Sequence, residues 1–182
     1  MESESGFVWA LIQSFSLANK DMFKDKGFGD DFPVNQRESE LDWNTYRLSL
    51  SQMQSIAYHS THLRATCNYP SDGLLYTDYA RARLEGHDIF GIWGFTCRPY
   101  EYLNIRGNGC SECTSVTKQK DGVAWNVNSY KSREFGCDFD GSQGASSSEN
   151  NFGGYFHINT NHRCSSSPAS TTQHRFGVKY DL

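Results

Sequence analysis

Six cysteines constrain this chain more than any other feature, and four of them lie in a region with little else to order it. From residue 107 onward the sequence is poor in aliphatic residues and rich in Gly, Ser and Asn, a composition typical of loops. An even number of cysteines in such a sequence predicts disulfides and an oxidising compartment. The sequence alone does not choose among the possible pairings of Cys67, Cys97, Cys110, Cys113, Cys137 and Cys164.

The remaining composition predicts a single domain with a core of aromatic rings. A chain of 182 residues is of ordinary domain size, so we expect one domain over 1–182. It contains 12 Phe, 10 Tyr and 4 Trp. The formal net charge of -4 argues against a nucleic-acid-binding surface. No stretch approaches the roughly 18 apolar residues of a membrane span, so no spanning segment is expected.

The N-terminus does not have the pattern of a secretory leader. Residues 1–5 are acidic where a leader would be basic, and the apolar run 7–12 is too short. We therefore expect a chain from which the leader has been removed, either as the mature protein or as a recombinant form. Residues 1–5 are expected to be disordered or vector-derived.

Alternating polar and apolar residues predict strands, mainly in the first half of the chain. The clearest alternation, in 62–69 and 74–84, flanks an Asp-Gly turn and predicts a β-hairpin with one buried face. Ser51 is expected to cap a short helix that ends at Tyr58. Further extended segments are predicted at 7–15, 43–50, 89–95 and 173–180, with loops between 107 and the last of them.

Cys110 and Cys113 form a C-x-x-C motif with three possible interpretations. A redox dithiol of the thioredoxin type needs the motif at the start of a helix, whereas here it follows a Gly-Asn-Gly turn with no helical pattern behind it. A zinc site needs a second ligand pair, which His162 and Cys164 could supply. We favour a structural disulfide, and a thiol oxidoreductase is the alternative function from a different class.

Asp138, Asp140 and Ser142 place two carboxylates and a hydroxyl at alternate positions of an acidic loop. Calcium binds six to eight oxygen ligands, and loops with this spacing supply several of them, with backbone carbonyls adding more. The segment is not an EF-hand, and a solvated acidic turn is the other interpretation. The sequence thus predicts a calcium-stabilised loop, with calcium as the cofactor.

An aromatic segment after the two glycines at 153–154 is the candidate ligand site. Paired glycines let the backbone turn sharply or approach a ligand closely. The rings of Tyr155 and Phe156 could stack on the face of a sugar, with His157 and His162 as polar anchors. Packing of these rings in the core after a turn is the alternative.

No catalytic motif is recognisable in the sequence. It contains no G-x-S-x-G, no phosphate-binding loop and no G-x-G-x-x-G. We therefore expect a protein without enzymatic activity.

Several segments resemble fibrinogen-like C-terminal domains and the related intelectins. The W-A-L-I-Q strand at 9–13 is similar to the opening strand of fibrinogen-like domains, and D-I-F-G-I at 88–92 resembles the middle of the intelectins. The Gly-Gly-aromatic segment after an Asp-x-Asp loop is similar to the fibrinogen-like calcium and ligand region. A branch of secreted cnidarian proteins, which includes skeletal organic matrix proteins of stony corals, is similar at 43–50, 59–62, 75–81 and 104–107.

The resemblance implies an α+β fold. This would be one fibrinogen-like domain with a mostly antiparallel sheet, short helices and a loop-rich C-terminal half held by disulfides. It also implies a Cys67–Cys97 bridge, beside which we expect Cys110–Cys113 and Cys137–Cys164. The implied function is that of a secreted, non-enzymatic matrix or recognition protein, such as a component of the organic matrix of a biomineral. A calcium-dependent lectin is the alternative, and glycans or matrix proteins are the expected partners.

Overall fold

An antiparallel sheet of nine strands runs through the described part of the chain. The structure is a computed structural model that describes residues 2–4, 6–37, 39–86, 88–91, 93–146 and 149–180, with the backbone only for 2–4 and 93. The sheet order is β1-β2-β9-β4-β5-β6-β7-β8. Strand β1 pairs with residues 7–9 of β2, and β3 pairs with residues 13–15 of the same strand. The strands are β1 (Glu2–Glu4), β2 (Phe7–Ser16), β3 (Thr45–Arg47), β4 (His62–Cys67), β5 (Tyr79–Arg83), β6 (Trp93–Ile105), β7 (Asn108–Lys120), β8 (Val123–Val127) and β9 (Thr171–Lys179).

Helices contribute little to the described structure. The three α-helices are α1 (Lys20–Phe23), α2 (Leu50–Tyr58) and α3 (Tyr69–Asp72), and two short 3-10 helices cover Leu17–Asn19 and Arg163–Ser165. The prediction of a mostly antiparallel sheet with short helices and disulfides is therefore confirmed. The class, however, is nearer to all-β than to the α+β that was expected.

The antiparallel strand pair predicted from alternation is present as β4 and β5. The predicted Asp-Gly turn is wrong, because Asp72 ends α3 in the connection, and the single buried face is wrong for β4, in which all six residues are buried. Leu63 lies opposite Ala82 and Ala65 opposite Ala80, and all four side chains are buried. Strand β5 is shorter than predicted, because residues 74–78 form bends rather than a strand. The strands predicted near the two ends of the chain are present as β2 and β9.

The largest departure from the prediction is the long hairpin of β6 and β7. The sequence predicts loops from residue 107, yet β7 and β8 occupy most of 108–127. Arg106 and Gly107, with φ of 53° and 85°, form a two-residue turn whose twist matches that of paired strands. Strand β7 is largely polar, and its hydrogen-bonded neighbours on both edges define it. Strand β6 begins at Trp93, inside the segment 89–95 that was predicted to be extended.

The start of the chain and the cap of helix α2 also differ from the prediction. Residues 2–4 form β1, which pairs with β2, where disorder was expected; residues 1 and 5 lie outside the described residues. Helix α2 is capped by Ser49 rather than Ser51. The Ser49 hydroxyl accepts a hydrogen bond from the Gln52 amide, and the Gln52 side chain accepts one from the Ser49 amide. This reciprocal pair satisfies two amide groups at the start of the helix.

Large rings fill the core, as the composition predicts. Trp9 lies against Gly177 of β9, where an added Cβ would be 2.3 Å from Trp9 Cε3, so only glycine leaves room for the ring. Buried rings elsewhere in the core include Phe15, Phe23, Phe28, Phe139, Phe152, Tyr155 and Phe176.

Two neighbouring arginines are also buried on this sheet. Arg64 on β4 lies opposite Arg175 on β9, and both are at most 1% exposed. The Arg64 guanidinium lies 4.5 Å from the centre of the Trp9 ring, and that of Arg175 lies 4.1 Å from the Tyr69 ring. Stacking on the negative face of an aromatic ring stabilises a cation away from water.

Candidate functional site

A polar cleft of about 580 Å³ lies at the end of the sheet where β6 turns into β7. Four separate segments meet there: the residues before β5, the β6–β7 turn, the loop at 143–144 and the loop before the second 3-10 helix. The cleft is lined by Thr77, Asp78, Arg106, Gly107, Asn108, Gln143, Gly144, Asn161 and Arg163.

Asp78 joins three of these segments. Its side chain is 1% exposed, and Asp78 itself has a φ of 53°. One carboxylate oxygen accepts a hydrogen bond from the Arg106 amide at 2.7 Å, and the other accepts from the Arg163 amide at 2.9 Å. Because hydrogen bonds from amides to a charged acceptor are strong, Asp78 fixes the positions of the turn and the loop relative to β5.

A buried ion pair supports the cleft from behind. The side chains of Arg106 and Glu149 are 4% and 2% exposed and contact each other directly. Glu149 also accepts hydrogen bonds from the Ser146 amide at 2.7 Å and the Asn159 side chain at 2.9 Å. The guanidinium donates in addition to the carbonyl of Gly141. One carboxylate thus joins residues 141–146 to residues 149–159, two stretches that contain no regular secondary structure.

The cationic groups of the cleft are all held by protein partners. Arg106 pairs with Glu149, and Arg163 pairs with Asp72 while donating to the carbonyl of Thr77 at 2.9 Å. The exposed polar groups that line the cleft belong instead to neutral residues, among them Thr77, Gln143 and Asn161. Such a surface suits an uncharged ligand rich in hydroxyl groups better than an ion.

The residues predicted to bind calcium are only partly brought together. Asp138 accepts hydrogen bonds from the amide and the hydroxyl of Thr114 at 3.0 and 2.8 Å. Asp140 accepts from the amide and hydroxyl of Ser142 and from Arg133. Hydrogen bonding to Ser142 lowers the pKa of Asp140. Both carboxylates are thus occupied by protein donors and have no common ligand partner, so the residues as placed do not form a calcium cage. Calcium binding stays a prediction.

The four residues predicted to bind a ligand are divided between the interior and the surface. Tyr155 is 2% exposed, and its hydroxyl is hydrogen-bonded to that of Thr172. His162 is 1% exposed. Phe156 is 58% exposed and His157 is also exposed. As placed, of these four residues only Phe156 and His157 are accessible to a ligand.

All six cysteines form disulfides, but two of the three expected pairings are wrong. The Cys110–Cys113 bridge is confirmed, whereas the expected Cys67–Cys97 and Cys137–Cys164 bridges are not formed. The observed bridges are Cys67–Cys164, Cys97–Cys137 and Cys110–Cys113.

The strand order explains why Cys67 cannot reach Cys97. Through β5, Ala65 on β4 lies level with Leu103 on β6. Cys67 is therefore near the end of β6, whereas Cys97 is near its beginning, roughly 25 Å away at about 3.3 Å per residue. A disulfide tolerates a Cα separation of about 7 Å at most. Cys164 instead follows the cleft loop and lies directly against β4.

The C-x-x-C motif lies within a strand. Cys110 and Cys113 are both in β7 at its pairing with β6, and Glu112 between them has a φ of 45°. A redox dithiol draws its low thiol pKa from the start of a helix or from a nearby cation. The motif thus lacks the helical setting that the thioredoxin-type interpretation requires.

Acidification should weaken the fold through His174, which lies among the rings of the core. Burial, with Arg47 and Arg175 nearby, lowers the pKa of His174 to about 3. An unfolded histidine has a pKa of about 6.5, so the unfolded state binds more protons between these values. We expect the free energy of unfolding to fall as the pH drops from about 6.5 toward 3. Urea unfolding at a series of pH values measures this slope.

A matched pair of variants assigns the slope. His174→Gln should reduce the pH dependence, whereas His59→Gln, at an exposed position after α2, should leave it as in the wild type. An unchanged slope in His174→Gln would contradict the assignment.

Comparison with known proteins identifies no relative of this chain. No family model matches it, and neither a curated protein nor a solved structure does. Within the described residues, none of the helices has the length and apolar character needed to cross a membrane.

Proposed function

We propose that this protein is a secreted, non-enzymatic recognition protein of an extracellular matrix, which binds a glycan in the polar cleft. The observation that carries the proposal is the cleft itself, which is lined by neutral polar side chains from four segments. The hydrogen bonds of Asp78 and the Arg106–Glu149 ion pair hold these segments in place. Hydroxyl and amide groups held in fixed positions recognise sugar hydroxyls at little entropic cost. Three disulfides are compatible with an oxidising compartment and hence with secretion.

The charges around the cleft favour a neutral glycan over an acidic one. Both arginines that line it have carboxylate partners, Glu149 and Asp72, so an anionic ligand would have to displace an existing ion pair. A fibrinogen-like relationship and a role in the organic matrix of a biomineral are part of the same proposal. A lectin that depends on calcium at Asp138 and Asp140 is the second candidate.

A glycan array followed by titration of the best ligand tests the proposal. Gln143→Ala with Asn161→Ala should weaken binding about 30-fold, because each removes hydrogen-bonding groups worth on the order of 1 kcal/mol. Both residues are exposed, so thermal unfolding should not change. Gln54→Ala, on the exposed face of α2, is the matched control and should bind like the wild type.

The same titration in a chelator and in millimolar calcium separates the two candidates. Equal affinity supports recognition without an ion. Binding that is lost in the chelator and in Asp138→Asn with Asp140→Asn supports the calcium-dependent lectin. If no glycan binds, or if the cleft variant binds as tightly as the control, the cleft is not the recognition site. Reactive thiols at Cys110 and Cys113 in the native protein would instead support an oxidoreductase.

A further inference from the structure

His162 is a buried imidazole without hydrogen bonds. It is 1% exposed, and neither of its ring nitrogens has a hydrogen-bond partner among the described residues. The Asp78 carboxylate lies 3.6 Å from Nε2, and the imidazole packs edge-on against Phe152. A buried polar group without a partner is costly and rare in folded proteins. The position therefore calls for an explanation other than packing.

The Cys67–Cys164 bridge lies beside this imidazole. The two sulfur atoms and a ring nitrogen of His162 are within 4.8 Å of one another, and all three residues are buried. In the part of the chain that the structure describes, no other set of three cysteine, histidine or acidic side chains is grouped in this way. Two thiolates and an imidazole are a preferred ligand set for zinc, with bonds of about 2.3 and 2.0 Å.

We infer that the dithiol form of Cys67 and Cys164, together with His162, is a zinc site. In the disulfide form the sulfur atoms are bonded to each other and do not act as ligands. Reduction breaks the S–S bond and frees both, and the imidazole already has a nitrogen without a partner.

The Asp78 carboxylate, 3.6 Å from Nε2, is the group that would orient the imidazole once zinc is bound. A carboxylate next to a ring nitrogen commonly fixes the tautomer and orientation of a zinc-bound histidine, which leaves the other nitrogen for the metal. Zinc and the disulfide are then two alternative cross-links between β4 and the loop at 162–164. The site lies next to Asp78, which lines the cleft, but the inference does not depend on the glycan proposal.

The chemistry balances with a tertiary phosphine as the reductant. Two electrons pass from phosphorus to the disulfide, the S–S bond breaks, and the two sulfur atoms take up two protons. The oxygen of a water molecule becomes the oxygen of the phosphine oxide. Zinc then displaces both thiol protons, and two Zn–S bonds and one Zn–N bond form. A dithiol reductant acts equivalently, with its own thiols forming the new disulfide.

Cobalt(II) is the probe, because tetrahedral thiolate coordination gives it characteristic absorption. The phosphine-reduced full chain should bind one equivalent of cobalt with thiolate-to-cobalt charge-transfer bands, and zinc should displace it. His162→Gln should weaken binding by more than about 100-fold, since even the partners of ligands contribute 10–100-fold. Cys67→Ser with Cys164→Ser should abolish it. Cys97→Ser with Cys137→Ser and Cys110→Ser with Cys113→Ser are the matched controls and should retain it.

Circular dichroism, recorded in parallel, shows whether reduction unfolds the chain. In that case zinc should restore the β-sheet spectrum in the wild type and in both control variants, but not in His162→Gln. The inference is overturned if the reduced wild type neither binds cobalt nor refolds with zinc. It is also overturned if binding survives the loss of His162 or of the Cys67 and Cys164 thiols.

Discussion

Replacing Cys67 and Cys164 together by alanine should lower the free energy of unfolding by about 4–5 kcal/mol. The bridge joins residues 97 apart in the sequence. A disulfide lowers the conformational entropy of the unfolded chain, and the reduction grows with the length of the loop that it closes. It also fixes the loop at 162–164, which has little secondary structure, to the central strand β4. Urea unfolding monitored by circular dichroism measures the change.

The other two bridges provide the comparison. Cys97–Cys137 spans a separation of 40, which predicts a loss of about 4 kcal/mol. Cys110–Cys113 spans only 3, which predicts about 1.5 kcal/mol. We expect the three paired alanine variants to rank in this order. If the Cys110 and Cys113 variant is destabilised as much as the Cys67 and Cys164 variant, loop closure does not govern the stability of this fold.

Glu149→Ala should destabilise the protein by about 3–5 kcal/mol, the cost of leaving one member of a buried ion pair without its partner. The substitution leaves the Arg106 guanidinium buried without a counter-charge. It also removes the acceptor for the Ser146 amide and the Asn159 side chain. The loop from 141 to 159 should become more sensitive to proteases, and glycan binding in the cleft should weaken with it.

Two further variants distinguish the effect of the buried Arg106–Glu149 pair on stability from the effect of removing any charged side chain. Arg133→Ala removes a pair with Asp140 in which both side chains are exposed, and stability should hardly change. Arg106→Met together with Glu149→Leu should recover the part of the loss that comes from the unpaired guanidinium, since an apolar pair avoids the desolvation of two charges. The part that comes from the Ser146 amide and the Asn159 side chain should remain, because both still lack their acceptor. Equal stability in Glu149→Ala and Arg133→Ala would contradict the role assigned to the buried pair.

Local patterns were sufficient for several elements of the fold. Alternation identified the pairing of β4 and β5, because apolar residues of both strands pack on the core, although the polar face of β4 is buried as well. Aromatic and β-branched residues identified β2 and β9. Strand β7 carries no such signal, since its residues are mostly polar and its place is determined by β6 and β8 on either side. Backbone hydrogen bonds to β6 and β8 do not require apolar side chains in β7, so they produce no hydrophobic periodicity in its sequence.

The disulfide pattern and the cleft depend on tertiary structure, which the sequence does not display. Cys67 and Cys164 meet because β9 lies beside β4, a pairing between strands about 100 residues apart in the chain. Asp78, Arg106 and Glu149 were not singled out, since each stands in a different segment. The one local signal in the sequence was Gly107, because glycine readily adopts the positive φ that the Arg106-Gly107 turn requires. The ring of Tyr155 and the imidazole of His162 were expected at the surface, but nothing local reveals that they are buried.

The place of β9 in the sheet has a consequence for how the chain matures. Of the strands in this sheet, β9 is synthesised last, yet it lies between two strands that are made much earlier, β2 and β4. Until it arrives, β2 and β4 have no partner on their facing edges, and open strand edges invite pairing with other chains. The sheet therefore closes only after β9 has been synthesised, and we expect the Cys67–Cys164 bond to form late. Oxidation that is delayed until β9 has paired with β4 would favour the native bridges over oxidation of each cysteine as it emerges.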